Sequence, residues 1–338
     1  MGERVLTVKD LRVTLPVPAG RLHAVQGVSF HVDRSETLCI VGESGCGKSL
    51  TALGIMDLLP PHAERTAGRL ELEAQSLTTL GEHAMSDIRG NRMAMIFQEP
   101  MTSLNPAYSI GDQLQEALRR HKRAPRRVGR ARAVELLERV GITAASSRLK
   151  QYPHQLSGGL RQRVMIAMAL MCQPALILAD EPTTALDVTI QAQILNLLAQ
   201  LQQEFAMGLV LITHDLGIVA RIATRVVVMY AGQVVESGSA ASVFSAPRHP
   251  YTRGLLACIP VPGRTRRGAP LGTIPGLVPS LIGSIDGCHF ARRCPHAIDT
   301  CRAAPVPFEA AADGHDVRCI RHRELGAGVV TTPPVAVT

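Results

Sequence analysis

The sequence predicts an α/β fold with a parallel sheet at its centre and a small cysteine-rich extension, and three observations carry that prediction. Leu38-Cys39-Ile40-Val41, Met93-Ala94-Met95-Ile96-Phe97, Ala175-Leu176-Ile177-Leu178-Ala179 and Leu209-Val210-Leu211-Ile212 are short unbroken apolar runs, the pattern of strands covered on both faces. Gly42 to Ser49 read Gly-Glu-Ser-Gly-Cys-Gly-Lys-Ser between the first run and a helix-forming stretch. Past Ala246 the composition shifts to Pro and Gly, and four of the eight cysteines, Cys288, Cys294, Cys301 and Cys319, fall close together.

Residues 4 to 34 alternate apolar Leu11, Val13 and Leu15 with Arg12 and Thr14, which predicts antiparallel strands. His23 is the nearest flat side chain on which a base could stack. The Gly42–Ser49 stretch follows and is a phosphate cradle. Gly42, Gly45 and Gly47 let backbone N–H groups turn inward, Lys48 brings a point charge to the outer phosphates, and Ser49 can ligate Mg²⁺. Glu43, Ser44, Cys46 and Leu50 complete the loop and its helix start. Cys46 stands where a helix N-terminus and a lysine lower a thiol's pKa, unless it is simply a small side chain. A helix from Ser49 to Leu59 is expected to stop at Pro60-Pro61.

Pro61 to Thr79 reads as polar strands, and the run at Met93 ends in Gln98-Glu99-Pro100. In open α/β sheets ligands gather at carboxyl ends of strands, so Gln98 could reach Mg²⁺ or an attacking water. From Ile110 to Val140 the period is helical and the charge basic, with Arg119, Arg120, Lys122, Arg123, Arg126, Arg127, Arg130 and Arg132 around Pro125. Ser157, Gly158 and Gly159 open an apolar helix running to Cys172, and its N-terminal N–H groups form a second anion site or an ordinary cap. The run at Ala175 ends in Asp180-Glu181, suited to an outer hold on magnesium and to polarising a water beside the γ-phosphate. Asp187 is expected to cap a helix with Ile190, Ile194, Leu197, Leu198, Leu201 and Phe205 on its apolar face and Gly208 at its end. Thr213-His214-Asp215 follow the next strand, which sets His214 toward the same rim. Arg225–Tyr230 and Gln233–Glu236 read as a hairpin turning at Ala231-Gly232.

At 338 residues, 46% hydrophobic and 19% charged, the chain suits about two domains with a large core. No apolar run approaches the roughly 18 residues of a membrane span, and no secretory leader pattern is present, so a cytoplasmic protein is expected. The net charge of +8 suits nucleic acid, anionic lipid or an acidic partner. With no Trp and 3% aromatic residues, stacking on single strands has little to work with, and no nucleic-acid partner is expected. The four clustered cysteines are separated by five, six and seventeen residues in a stretch with little apolar core, where bound metal would stabilise the fold. Four thiolates suit Zn²⁺ or a [4Fe–4S] cluster, the spacing lacks the paired knuckles of structural zinc, and two disulfides are disfavoured in a reducing compartment. Residues 326 to 338 read as an unstructured tail.

The phosphate loop, Gln98, Leu156 to Arg163, the Asp180-Glu181 strand, Ala185-Leu186-Asp187 and His214, in this order, resemble the ATP-binding subunit of an ABC transporter. Phe97 to Pro106, Tyr152-Pro153-His154-Gln155, Glu181 to Leu195, His249-Pro250-Tyr251-Thr252 and the four cysteines are similar to dipeptide and oligopeptide importer ATPases. The likeness covers about residues 4 to 323. It implies an ABC-type P-loop nucleotide-binding domain over 1–245, with a RecA-like core, an antiparallel β subdomain and a helical signature subdomain at about 101–165, then an extension over 246–338. It also implies that Lys48 and the loop amides hold ATP, that Ser49, Asp180 and Gln98 serve Mg²⁺, that Glu181 is the general base and that His214 contacts the γ-phosphate. Asp187 would signal across a dimer, and Ser157, Gly158 and Gly159 would close over ATP on the partner subunit. The implied partners are a second ATPase in a heterodimer, two membrane permeases and an extracellular solute-binding protein, with this chain peripheral on the cytoplasmic membrane face. The implied cluster at the four cysteines is [4Fe–4S], with Zn²⁺ as the alternative. The sequence departs from the family in lacking an aromatic at the usual adenine position and in carrying Glu99 where Asp is more usual.

Peptide import is the expected function, with nickel or another small solute as an alternative cargo. A soluble ABC ATPase acting on nucleic acid or ribosomes is the rival class. Its members carry long insertions or two cassettes, whereas this chain has one uninterrupted cassette. A module that binds ATP without hydrolysing it is disfavoured by Glu181 and His214.

Overall fold

The computed structural model describes residues 2–99, 103–184, 186–259, 272–312 and 314–326. The expectations on Pro100 to Thr102, Ala185, Pro260 to Gly263 and the tail from 327 lie outside the described residues. The chain forms two compact units from alternating segments. The first takes Met1–Leu6, Val32–Thr37 and Leu72–Leu211, and the second Thr7–His31, Leu38–Glu71 and Ile212–Thr338.

The first unit carries the strands Met93–Ile96 and Leu176–Asp180 and nearly all of Gly208–Ile212. Met93 faces Leu176 and Ile96 faces Ala179 in parallel register. The amides of Gly208 and Leu209 donate to Ala175 O (2.8 Å) and Glu36 O (2.9 Å). Every residue of Leu176–Asp180 is buried, so the strand has no solvent face to alternate with, and the apolar run was continuous for that reason. The basic stretch is two helices, Ile110–Lys122 and Arg126–Arg139, rather than one. Arg123 turns left-handed at φ 49°, and Pro125, with no N–H to continue a ladder, stands as N-cap of the second. Helix Gly158–Leu170 starts where expected. In Val188–Glu204 the side chains of Ile194, Leu195, Leu198 and Leu201 are buried as the periodicity requires. Gly208 does not end that helix: it stops at Glu204, Ala206 makes the turn at φ 49°, and Gly208 opens the next strand.

In the second unit residues 38–41, nearly all of the strand Thr37–Val41, lie parallel to Arg225–Tyr230, with Leu38 opposite Arg225 and Val41 opposite Val228. The predicted hairpin is present: Ala231 (φ 47°) and Gly232 (φ 80°) turn the chain into the antiparallel strand Gln233–Ser239. Helix Lys48–Met56 ends at Asp57 in the left-handed region (φ 56°), short of the expected stop at Pro60. The stretch after Ala246 contributes the helix Pro250–Ala257 and also two strands, Glu309–Ala312 and His315–Val317. The second of these pairs with the hairpin, Val317 facing Glu236 and Asp316 facing Ser237.

Candidate functional site

The phosphate loop is held by close backbone approaches that admit only glycine at two points. A Cβ on Gly42 (φ 153°) would meet Met229 O at 2.2 Å, and one on Gly47 (φ 93°) would meet Ala24 O at 2.3 Å. Gly47 is also the N-cap of the following helix and offers no side chain to its first amides. Uncapped N–H groups at a helix start are what an anion needs. Lys48 is buried at 5% exposure and its Nζ donates to Gly42 O (2.9 Å) and Glu43 O (3.0 Å). Ser44 and Gly45 are exposed. Cys46 is fully buried, and burial pushes its thiol up against the lowering by the Ala231 backbone and by Lys48, which favours the reading of it as a small buried side chain. In the same unit His214 is exposed, and the adjoining Asp215 caps Leu216–Ile222, its Oδ1 accepting from Gly217 N (2.8 Å) and Ile218 N (3.3 Å). The ring of His23 is engaged with the Thr14 hydroxyl (Nδ1 to Oγ1 3.2 Å).

The first unit holds the carboxylates. Asp180 ends its strand buried at 5% exposure, and Glu181 follows in the left-handed region at φ 42°. That conformation disfavours a side chain with a Cβ and marks a stressed position. Gln98 Nε2 donates to Glu181 Oε2 (3.2 Å), so the carboxamide and carboxylate singled out from sequence meet. Sequence reasoning missed Thr184, whose Oγ1 donates to the same oxygen at 2.9 Å. It also missed Gln191, whose Nε2 braces the turn through Thr183 O and Leu186 O, both at 3.0 Å. The only available signal was the hydroxyl pair Thr183-Thr184 just after the carboxylates. Asp187 occupies the N-cap position of its helix, but its side chain makes no capping bond, which corrects the expected capping role. Ser157 does cap, its Oγ accepting from Leu160 N at 3.4 Å, and Ser157 and Gly158 are exposed.

Cys288, Cys294, Cys301 and Cys319 all line one cavity of about 20 Å³ in the second unit, and none of them is in a disulfide. Burial pushes Cys288 up to about 11, and the other three cysteines add to that shift. Burial also raises Cys294 and Cys319. Four thiols around one cavity are of the donor type that a soft metal group takes. Their side chains, as placed, do not form a closed ligand set: among the described residues no three His, Cys, Asp or Glu are grouped to hold a metal ion.

Two family models match, "ABC transporter" over residues 25–184 and "Oligopeptide/dipeptide transporter, C-terminal region" over residues 235–301. A putative peptide import ATP-binding protein of Brucella melitensis is 52% identical over 96% of this chain and 98% of its own length. The chain belongs to the peptide-import ATP-binding proteins of ABC transporters. The dipeptide transport ATP-binding protein DppD of Bacillus subtilis is 49% identical over 94% of each chain. Among solved structures, a dimeric ATP-binding cassette in a post-hydrolysis state with ADP and Pi matches with TM-score 0.62 at 27% identity, covering 70% of this chain and 98% of that one. This member is accordingly an ATPase of the ABC type with the cassette fold. Among the described residues no helix is long and apolar enough to cross a membrane.

Proposed function

We propose that this ABC ATPase drives uptake of di- or oligopeptides, hydrolysing ATP held by the Gly42–Ser49 loop. Lys48 neutralises phosphate charge, the amides after Gly47 bind phosphate oxygens, and Glu181 takes the proton of a water as it attacks the γ-phosphorus, giving ADP and phosphate. The observation that carries this reading is Glu181, held by Gln98 and Thr184 on one oxygen at the exit of a buried strand. Both donors fix the direction in which the carboxylate presents its oxygens. Gln98 is assigned to the attacking water as well, and His214 to the γ-phosphate. Mg²⁺, when bound, would be held by Ser49, Asp180 and Gln98 and would supply charge neutralisation on the phosphates.

Ser157, Gly158 and Gly159 are assigned to ATP on a second ATPase subunit in a heterodimer, with Asp187 signalling across it. The dimeric state of the similar cassette supports that reading. Two membrane permeases and an extracellular binding protein would complete an assembly in which this chain is peripheral on the cytoplasmic side. The names of the relatives and the match of residues 235–301 favour peptides over nickel or another small solute. Residues 246–338 are assigned as the extension to a 1–245 nucleotide-binding domain. Its four cysteines are assigned to a [4Fe–4S] cluster, or Zn²⁺, on the donor chemistry of four thiols around one cavity, although their side chains as placed are not grouped to hold a metal ion.

The test is uptake of labelled dipeptide by cells expressing the assembly, with wild-type chain and Glu181→Gln. Uptake with the wild type and none with the variant supports the reading. Nickel uptake without peptide uptake overturns the cargo, and undiminished ATP turnover in the variant overturns the base.

A further inference from the structure

One residue of the phosphate loop is gripped at all its polar groups. The Glu43 N–H donates to Tyr251 Oη (2.8 Å), its carbonyl accepts from Lys48 Nζ (3.0 Å), and its carboxylate accepts from Arg293 Nη1 (2.8 Å). Two of these three grips come from the segment beyond Ala246, more than 200 residues away in sequence.

Both gripping side chains are themselves immobilised. Tyr251 is fully buried, and its ring packs against Tyr230 (centroids 4.6 Å) and Phe290 (5.4 Å). Its backbone N–H donates to His249 Nδ1 (3.0 Å) at the start of its helix. Arg293, 6% exposed at its side chain, also donates to Tyr230 Oη (3.3 Å), Pro275 O (2.9 Å) and Ile274 O (3.0 Å). A guanidinium held at four acceptors and a ring packed against two others lose those contacts on any change of rotamer, so they impose position on whatever they hold.

The Glu43 peptide is therefore set from outside the loop, and its carbonyl is one of the two that aim the Lys48 ammonium. We infer that Tyr251 and Arg293 are positioning residues for ATP: they orient the Glu43 peptide so that Lys48 points at the phosphates. This makes the C-terminal segment part of the nucleotide machinery. The inference rests on Lys48 being the phosphate-binding lysine, as proposed above.

A simple anchor for the C-terminal segment would use the same contacts but would affect only folding stability. The two roles separate in purified full-length chain, by titration with a fluorescent ATP analogue and Mg²⁺ alongside thermal melting. Tyr251→Phe removes one oxygen and keeps the ring packing. It should weaken the analogue's Kd about tenfold, equivalent to about 1.4 kcal/mol, as should Arg293→Ala. In the assembled complex the ATP KM should rise by a similar factor while kcat stays within about twofold. Glu43→Gln combined with Arg293→Ala should bind no more weakly than Arg293→Ala alone, because both remove the same contact.

Lys48→Ala is the control for the underlying reading. If it binds the analogue like wild type, the loop assignment fails and takes the inference with it. If Lys48→Ala loses binding while Tyr251→Phe and Arg293→Ala keep wild-type affinity, with or without a lower Tm, the positioning role alone is overturned. Additive losses in Glu43→Gln with Arg293→Ala would overturn Arg293's action through Glu43.

Discussion

Glu181 in the first unit and Glu236 in the second are both glutamates on or just after sheet strands, and their surroundings differ in kind. Glu236 is fully buried on the strand Gln233–Ser239, and its two oxygens accept from Arg248 N (2.6 Å), His249 N (2.9 Å) and His315 Nε2 (2.7 Å). Burial alone would push its carboxyl up, but the bond from His315 and those from the two amides outweigh it and hold the group below the usual carboxylate range. Glu181 is half-buried, stands in left-handed backbone, and takes two neutral donors on one oxygen. A carboxylate enclosed by donors on both oxygens stitches strands and a helix start together. One in left-handed backbone at a strand exit, with the Gln98 and Thr184 side chains donating to a single oxygen, is the carboxylate proposed above to take a proton from water. The comparison thus sets a carboxylate that joins elements against one proposed to do chemistry.

The sharpest way to break that contrast is to remove the charge from each glutamate while keeping its shape. Glu181→Gln should lower kcat for ATP hydrolysis about a thousandfold, equivalent to about 4 kcal/mol, while leaving nucleotide binding intact, as read by phosphate release and ATP retention. Glu236→Gln should do the opposite, costing about 2 to 3 kcal/mol of stability in a denaturation curve with little change in kcat per folded molecule. The pH dependence separates them further. A carboxylate whose folded pKa is depressed stabilises fully above its ordinary value of 4.5, and that contribution is lost as the pH falls through the lower folded value. Wild type should therefore lose stability below about pH 4.5, and Glu236→Gln should lose less over that window. Equal acid sensitivity in the two would show that Glu236 is not the group responsible.

How legible these two sites were in the sequence follows from what each depends on. The strands ending at Val41, Ile96 and Asp180 and the Gly42–Ser49 loop were readable because apolar runs and glycine spacing are local patterns. Gln98 and Glu181 were each readable as strand-exit residues and do meet. Thr184 was not, because its bond to Glu181 depends on a left-handed turn that no residue type at that position announces. The strands Glu309–Ala312 and His315–Val317 were invisible because Glu-Ala-Ala-Ala has weak strand preference, and pairing with Glu236 and Ser237 decides their conformation. The grip of Tyr251 and Arg293 on Glu43 joins segments far apart in the chain, and no local pattern encodes it.

Gln98→Ala tests how much of Glu181's behaviour is steering. It deletes one donor to the carboxylate and the group assigned to the attacking water, so kcat should fall about tenfold, or about 1.4 kcal/mol, with Glu181 still present. An unchanged kcat would leave the carboxylate's orientation to its backbone alone.

Thr184→Val is the finest of these tests, because it is nearly isosteric and removes only the hydroxyl that donates to Glu181 at 2.9 Å. A single side-chain hydrogen bond contributes about 1 kcal/mol, so kcat should fall about fivefold. The two donors share one oxygen, so their effects should not add: with Gln98 gone, the carboxylate has already lost part of its orientation and the hydroxyl has less left to hold. Turnover measured for wild type, both single variants and the double variant reads this directly. A double variant well short of the product of the single effects supports joint steering of one oxygen. Strict additivity would mean that Gln98 acts on the water and only Thr184 on the carboxylate, which would narrow the contrast with Glu236 to a single donor.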